Sequence, residues 1–387
     1  MNFVLPDYKR NSMKILSAFL LLILFSSSLF AAEIIKFTLF DGETVEGKLS
    51  LPPDTNKIKE LVIYIHGTGP GTYDKHRKMG GTEFNYFDLF AQEFNKRGIA
   101  FFTYNKRGVE NGDTPPLYES IDREKYKKVL PSIEIKDIAA FISTLRKDKR
   151  LKNARVVLLG WSEGSIIASL AAEDKNNRIS AIFLAGYAND NLFDVIKWQN
   201  SGGASMVNIR GFFDTNHDNR ISKEEYGSEE KQAAAFRNQA FGGAKFEQLD
   251  VNKDNIIDAA DFGLLNKARY EAILAAVERK DDDWIWNNYF HVTTAWLKEH
   301  FELEPNKTRL LRINITIYIF QGEDDANTPV EGVYDLRERF QKAGKTNLHS
   351  FTFKTHNHDL NYLDWMIKKE MPEGIKKIFE AAEMLKG

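Results

Sequence analysis

The chain has 387 residues, 43% of them hydrophobic and 28% charged, enough to bury a large core and too apolar for a disordered chain. A net charge of -2 gives no global electrostatic reason to bind nucleic acid or an anionic membrane. With no cysteine, a disulfide framework, a thiolate metal site and a lipidated cysteine are all excluded.

Residues 15–32 carry no charge, follow Lys9, Arg10 and Lys14, and end in Leu29-Phe30-Ala31-Ala32. That order of basic, apolar and small residues predicts a signal peptide over 1–32, with Met13 as an alternative start. The expectation is an exported protein, periplasmic or secreted, with no stable membrane span after cleavage. A retained N-terminal anchor is the other reading, because the run barely reaches spanning length.

Residues 34–49 read as a hairpin about Asp41-Gly42, and 61–65 as a short buried strand running into His66-Gly67-Thr68-Gly69-Pro70-Gly71. Phe84, Phe87, Phe90 and Phe94 recur at helical spacing, and Gly98 closes that helix. A strand over 99–104, a helix over 135–145 and a strand over 155–159 follow. The last runs straight into Gly160-Trp161-Ser162-Glu163-Gly164 and an apolar helix. After a strand over 179–184, a long polar stretch interrupts the rhythm. It resumes with a strand over 313–320, a helix over 333–340, a strand over 348–353 and a terminal helix from Gly374. Short strands alternating with helices predict an α/β fold with a mostly parallel, doubly wound sheet. Its two halves are 33–190 and 307–387, with 191–306 as an insertion.

A serine between glycines two residues away on each side, at a strand-to-helix turn, is the pattern of an exposed nucleophile on a strained elbow. Gly160 and Gly164 let strand and helix approach closely around Ser162. With His66-Gly67-Thr68-Gly69, Tyr104-Asn105-Lys106-Arg107-Gly108, Gly322-Glu323-Asp324-Asp325 and the late His358, the chain resembles the α/β-hydrolases across most of 34–387 outside the insertion. The Lys-Arg-Gly and Ser-Glu-Gly combination is similar to bacterial esterases and to serine peptidases of related fold. One departure is Trp161, where many members carry histidine; it bears on pocket shape more than on chemistry.

A serine hydroxyl needs a base, and the base an orienting carboxylate. The resemblance implies the order Ser162, Asp325, His358, the acid lying three residues after the glycine that ends its strand. Glu323 and Asp324 compete for the acid. His356 competes for the base, and a His-x-His pair also allows a zinc reading that lacks a third ligand. The backbone N–H groups of Thr68 and Glu163 are expected to hold the oxyanion. Lys106-Arg107 reads as structural, tying down the loop beneath the site. The Gly-rich loop is not followed by the ending a phosphate cradle needs.

The insertion carries a second pattern. Asp214, Asn216, Asp218, Ser222 and Glu225 supply oxygen side chains at positions 1, 3, 5, 9 and 12 of an EF-hand loop, with Arg220 offering its carbonyl at 7. Asp250, Asn252, Asp254, Asp258 and Asp261 repeat the spacing 36 residues on, with Ile256 at 7. Ile221 and Ile257 fall at position 8, where paired loops bond to each other. Asn219 and Asn255 replace the usual glycine at 6, and Asp261 is one methylene shorter than glutamate. Two structural Ca²⁺ ions are expected in this helical cap, held modestly at roughly 10⁻⁵ to 10⁻³ M, the first site tighter. Two metal-free acidic turns are the alternative. Trp284, Trp286, Tyr289, Phe290 and Trp296 could pack the cap or roof an acyl pocket.

The sequence therefore predicts a secreted serine hydrolase of carboxylic esters, acting on a small acyl substrate or a short peptide. The alternatives are a serine peptidase or aminopeptidase of the same fold, and a calcium-dependent binding protein on an inactive scaffold. No acidic pair outside the calcium loops suits a free amino terminus, which favours the ester. Oligomeric state is not readable from the sequence.

Overall fold

The computed structural model describes residues 31–385 apart from Gly80. The signal-peptide expectation therefore lies outside the described residues, except for Ala31 and Ala32, which open the first strand. Among the described residues no helix is long and apolar enough to cross a membrane.

Eight strands form the main sheet: β1 (Ala31–Thr38), β2 (Thr44–Leu51), β3 (Glu60–Ile65), β4 (Ala100–Tyr104), β5 (Arg155–Trp161), β6 (Ile179–Ala185), β7 (Thr316–Gly322) and β8 (Leu348–Phe353). Their spatial order is β1-β2-β4-β3-β5-β6-β7-β8. The β1–β2 and β2–β4 pairs are antiparallel, and every later pair is parallel. The central strands are buried on both faces, so they read as continuous apolar runs rather than alternations.

Period two still divides them. Val62, Tyr64, Val157, Leu159 and Phe183 pack with Phe87, Phe90 and Phe94 of helix Tyr86–Lys96 and with Ile378 and Phe379 of helix Glu373–Met384. Leu61, Ile63, Leu158 and Ile182 face the other way, onto Ile138 and Phe141 of helix Pro131–Leu145 and Val333 and Leu336 of helix Glu331–Lys342. Each face of the sheet thus has its own helical layer.

The differences from the sequence reading are local. Phe84 is not helical: it lies in a short strand, Thr82–Asn85, paired with His76–Met79, and the helix begins only at Tyr86. Its spacing from Phe87 matched a helix, but the pairing of Phe84 with Arg77 holds it extended. The strand read over 313–320 starts at Thr316, because Leu310–Arg312 forms a 3-10 turn. A second short ribbon, Val109–Asn111 with Glu119–Ile121, was not foreseen.

Between β6 and β7 the chain builds a helical layer over the sheet's carboxyl edge. Helices Leu192–Asn200, Ala259–Arg279 and Thr294–Glu302 share one small core around Ile196, Ile273 and Leu297. Helix Gly203–Phe213 and the two acidic loops gather around Phe213, Ile221, Ile257 and Phe262.

Candidate active site

The sheet order reverses direction at β3, which has β4 on one side and β5 on the other. Ligands in such sheets bind outside the carboxyl ends of the strands at that switch point. Ile65, the last residue of β3, pairs with Gly160 near the end of β5. The His66-Gly67-Thr68 turn and Ser162 are therefore neighbours by register.

Ser162 joins β5 to helix Glu163–Glu173 at φ 58°, ψ -123°, a conformation that costs about 1–3 kcal/mol in a non-glycine residue. A side chain at Gly160 would come within 2.1 Å of the Gly164 carbonyl oxygen, and one at Gly164 within 2.3 Å of the Ile65 oxygen. Both glycines are thus required by the close approach of strand and helix. The Ser162 N–H is tied to the Ala185 oxygen at 2.9 Å, which fixes the elbow against β6.

The late histidine and the acid meet. His358 Nδ1 lies 2.8 Å from Asp325 Oδ2. Asp325, buried at the end of β7, also accepts from Gln321 Nε2 at 2.7 Å, Thr328 Oγ1 at 2.8 Å and the N–H groups of Asn327 and Thr328 at 2.7 and 2.8 Å. Burial alone would raise its pKa; His358 and these donors outweigh that and hold the carboxyl below its ordinary value. Burial pulls His358 down, but Asp325 beside it, with Asp359 further off, leaves its imidazole above the ordinary value. A Cβ on Gly186 would sit 2.7 Å from His358 Cε1, so the end of β6 is bare to make room for the ring.

The competitors are otherwise engaged. His356 Nδ1 bonds the Lys354 oxygen at 2.8 Å, and its Nε2 accepts the Gly374 N–H at 3.3 Å. Asp324 pairs with Arg210 of the cap at 3.2 Å. Trp161 donates its indole N–H to the His358 oxygen at 3.2 Å, steadying the loop that carries His358.

Ser162 and His358 line one cavity of about 890 Å³, together with Gly67, Thr68 and Glu163. The cap closes it with Arg269, Ile273, Tyr289 and Phe290. Trp296 is buried away from it and Trp286 stacks on His291, so the aromatic residues divide between roof and packing.

Beneath the serine lies a buried polar group that the sequence reading reached only in part. Lys106 Nζ donates to the Gly67 oxygen at 3.0 Å and pairs with Glu134 at 3.3 Å and Glu163 at 3.8 Å. It therefore anchors the Gly-rich turn. Arg107 does comparable work lower down, with a two-pronged bond to Asp137 at 2.6 Å per arm and a third to Asp41 at 2.7 Å. The Glu163 carboxylate also accepts from Trp296 Nε1 and faces His300 Nε2, each at 2.9 Å. Desolvation raises Glu134 above the ordinary carboxyl range, whereas Lys106, His300 and Trp296 overcome the same effect at Glu163 and hold it below. No spacing rule links His300 to Glu163; only the packing of the cap brings them together.

The two acidic loops lie back to back, with Ile221 and Ile257 exchanging backbone hydrogen bonds at 2.9 Å in each direction. Asn219 and Asn255 take φ 59° and 67°, the left-handed turn required at position 6. Asp214 accepts the N–H groups of Asp218 and Asn219, and Asp250 those of Asp254 and Asn255. Glu225 is bonded by Thr215 and Ser222, and Asp261 by the N–H groups of Val251, Asn252 and Asp258. Among the described residues no three His, Asp or Glu side chains are gathered as a metal cluster. In each loop the carboxylates instead cap the loop's own N–H groups.

The family described as alpha/beta hydrolase fold matches residues 60–350. No curated protein matches the chain. Among solved structures, a thermostable carboxyl esterase from Bacillus coagulans is similar at a TM-score of 0.52 and 15% identity, over 92% of this chain and 97% of that one. An acylaminoacyl peptidase from Pyrococcus horikoshii is similar at 0.49 and 11%, over 92% of this chain and 41% of that one. An esterase from Pyrococcus furiosus is similar at 0.48 and 14%, over 91% and 90%. At 15% identity the likeness to the esterase from Bacillus coagulans is one of fold. With the family's pattern spanning most of the chain and the strand order that carries it, the protein belongs to the alpha/beta hydrolase fold family.

Proposed function

We propose that this chain is an exported serine hydrolase that cleaves carboxylic esters through an acyl-enzyme. The observation that carries the reading is the bond of His358 to buried Asp325 at 2.8 Å, with His358 lining the same cavity as Ser162 on its strained elbow. With Nδ1 turned to Asp325, His358 keeps Nε2 for the serine proton. Ser162 Oγ attacks the ester carbonyl, and its proton passes to His358 Nε2. The oxyanion accepts the N–H groups of Glu163 and Thr68, neither of which has a protein acceptor among the described residues. Collapse releases the alcohol with the proton returned by His358. Water, deprotonated by the same imidazole, then frees the acid. Export rests on the order of residues 1–32 alone.

Ester is favoured over peptide by the acids of the cavity. Glu163 is committed to Trp296 and His300, so a peptide's ammonium terminus would meet only Asp359 as an uncommitted carboxylate.

The acidic loops suit Ca²⁺ as a stabiliser of the cap. Their donors are all oxygens: Asp214, Asn216, Asp218, Ser222 and Glu225 with the Arg220 carbonyl, and Asp250, Asn252, Asp254, Asp258 and Asp261 with the Ile256 carbonyl. The mutual bridge at Ile221 and Ile257 and the left-handed Asn219 and Asn255 fit that use. Binding requires Glu225 and Asp261 to give up their present donors. No triad residue is among these ligands.

Rapid mixing with p-nitrophenyl acetate tests the reading. A burst of nitrophenol equal to the enzyme present, with an acetyl group on the peptide containing Ser162, is expected. Steady release without burst or adduct would overturn it.

A further inference from the structure

The cavity above Ser162 carries a positive charge that the ester chemistry does not use. Lys75 lies on the loop after β3, and its backbone is fixed at both ends. Its N–H donates to Thr72 Oγ1 at 2.9 Å, and its carbonyl accepts the Tyr86 N–H at 3.3 Å. The ammonium stands 5.4 Å from the centre of the Tyr86 ring, whose face attracts it. It has no carboxylate within ion-pair distance and no hydrogen-bond acceptor among the described residues, yet it lines the cavity.

Its neighbours are spent. Arg77 is taken up by Glu119 at 3.2 Å and by the carbonyls of His76 and Leu117. Lys106 is held by Glu134 and Gly67. From the cap, Arg269 of helix Ala259–Arg279 also lines the cavity without an ion pair among the described residues. Asp359 and Glu119 offset them in part, both too far from Lys75 to pair with it directly. Burial, with Arg77 nearby, brings the Lys75 pKa down to about 8. A half-buried, cavity-lining ammonium without an ion-pair partner among the described residues suits an anion.

We propose that Lys75, which shares the cavity with Arg269 of the cap, binds a carboxylate on the substrate, so that the preferred ester is one bearing a carboxylate group. The proposal rests on the serine-hydrolase reading for its substrate, but its binding step can be read without turnover.

Two isosteric pairs serve as probes. Mono-4-nitrophenyl glutarate and its terminal amide place the charge in the acyl arm. 4-Acetoxybenzoate and 4-acetoxybenzamide place it in the leaving group. The wild type is expected to favour the carboxylate by about tenfold in kcat/KM in at least one pair, mainly through KM and less so at high salt. Lys75→Met should bring that ratio close to unity, and Lys75→Arg should keep most of it. Equal rates within both pairs, or a ratio unchanged in Lys75→Met, would overturn the proposal. Calorimetric titration of Ser162→Ala with the same pairs separates the two readings. Tighter binding of the carboxylates there, without ester hydrolysis by the wild type, would uphold the anion site and reject the hydrolase. Equal binding of acid and amide would reject the anion site.

Discussion

Glu163 faces two ways: its backbone opens the helix behind Ser162, and its carboxylate lies 2.9 Å from His300 Nε2 of the cap. The residue next to Ser162 is thus fastened to the element that roofs the cavity. Through Lys106 the same carboxylate reaches the Gly67 turn, so elbow, Gly-rich loop and cap share one buried polar group.

Removing the cation from that group is expected to be severe. Lys106→Met leaves Glu134 and Glu163 facing each other in the core, and losing one partner of a buried pair costs about 3–5 kcal/mol. Urea unfolding should read that loss. The surviving folded fraction should turn over more slowly, since Gly67 loses the donor that fixes its carbonyl. A variant as stable as the wild type would mean that the pairing contributes nothing net.

The triad assignment makes a graded prediction. Ser162→Ala and His358→Ala should each abolish hydrolysis of p-nitrophenyl esters with circular dichroism unchanged. Asp325→Asn should slow it by about 10⁴-fold, because the amide holds the imidazole in the wrong tautomer. Asp324→Asn and His356→Ala should retain most activity, as their side chains are engaged outside the cavity. Loss of activity in His356→Ala alone would reassign the base.

The meeting of His358 with Asp325 was legible in the sequence because strand ends and motif order constrain both residues. The same holds for the elbow, where two glycines are forced by backbone contacts of 2.1 and 2.3 Å. His300 and Trp296 were not legible as partners of Glu163, since more than a hundred residues and a whole cap separate them in the chain. Phe84 misled for the opposite reason. A helical spacing of aromatic residues continued one step past the true start, where strand pairing with Arg77 prevails. Lys75 carries no motif, and what marks it is a place in the cavity without an ion-pair partner among the described residues.

The pH dependence follows from His358. The proposed mechanism needs the neutral imidazole, and its pKa lies above the ordinary 6.5, raised chiefly by Asp325 and further by Asp359. The acid limb of kcat/KM should therefore have its midpoint above pH 6.5. Asp359→Asn removes one stabilising negative charge and should move that midpoint down by a fraction of a unit. A midpoint unmoved by this change would remove Asp359 from the electrostatics of the base.

Calcium should act on the cap. If the folded state alone binds the ions, a hundredfold excess over Kd adds about 2.7 kcal/mol per site. Tm should rise on adding calcium and fall in EDTA, with a smaller direct change in kcat. Titration calorimetry should find two sites, the tighter one lost in Glu225→Gln and the other in Asp250→Ala. In the metal-free protein, burial pushes Glu225 up, but its bonds from Ser222 and Thr215 prevail and bring it to about 2. A carboxyl depressed in the fold stabilises above its unfolded pKa. That contribution should fade as pH falls from about 4.5 towards 2. Identical melting in calcium and EDTA would leave the loops as acidic turns.

The central claim, that Ser162 is an activated nucleophile in a complete triad, is tested most directly by a fluorophosphonate probe. Intact-mass and peptide analysis should find one adduct on Ser162 in the wild type. Labelling should be absent in Ser162→Ala and strongly slowed in His358→Ala. A wild-type protein that stays unlabelled, or a Ser162→Ala protein that labels as fast, would contradict the account.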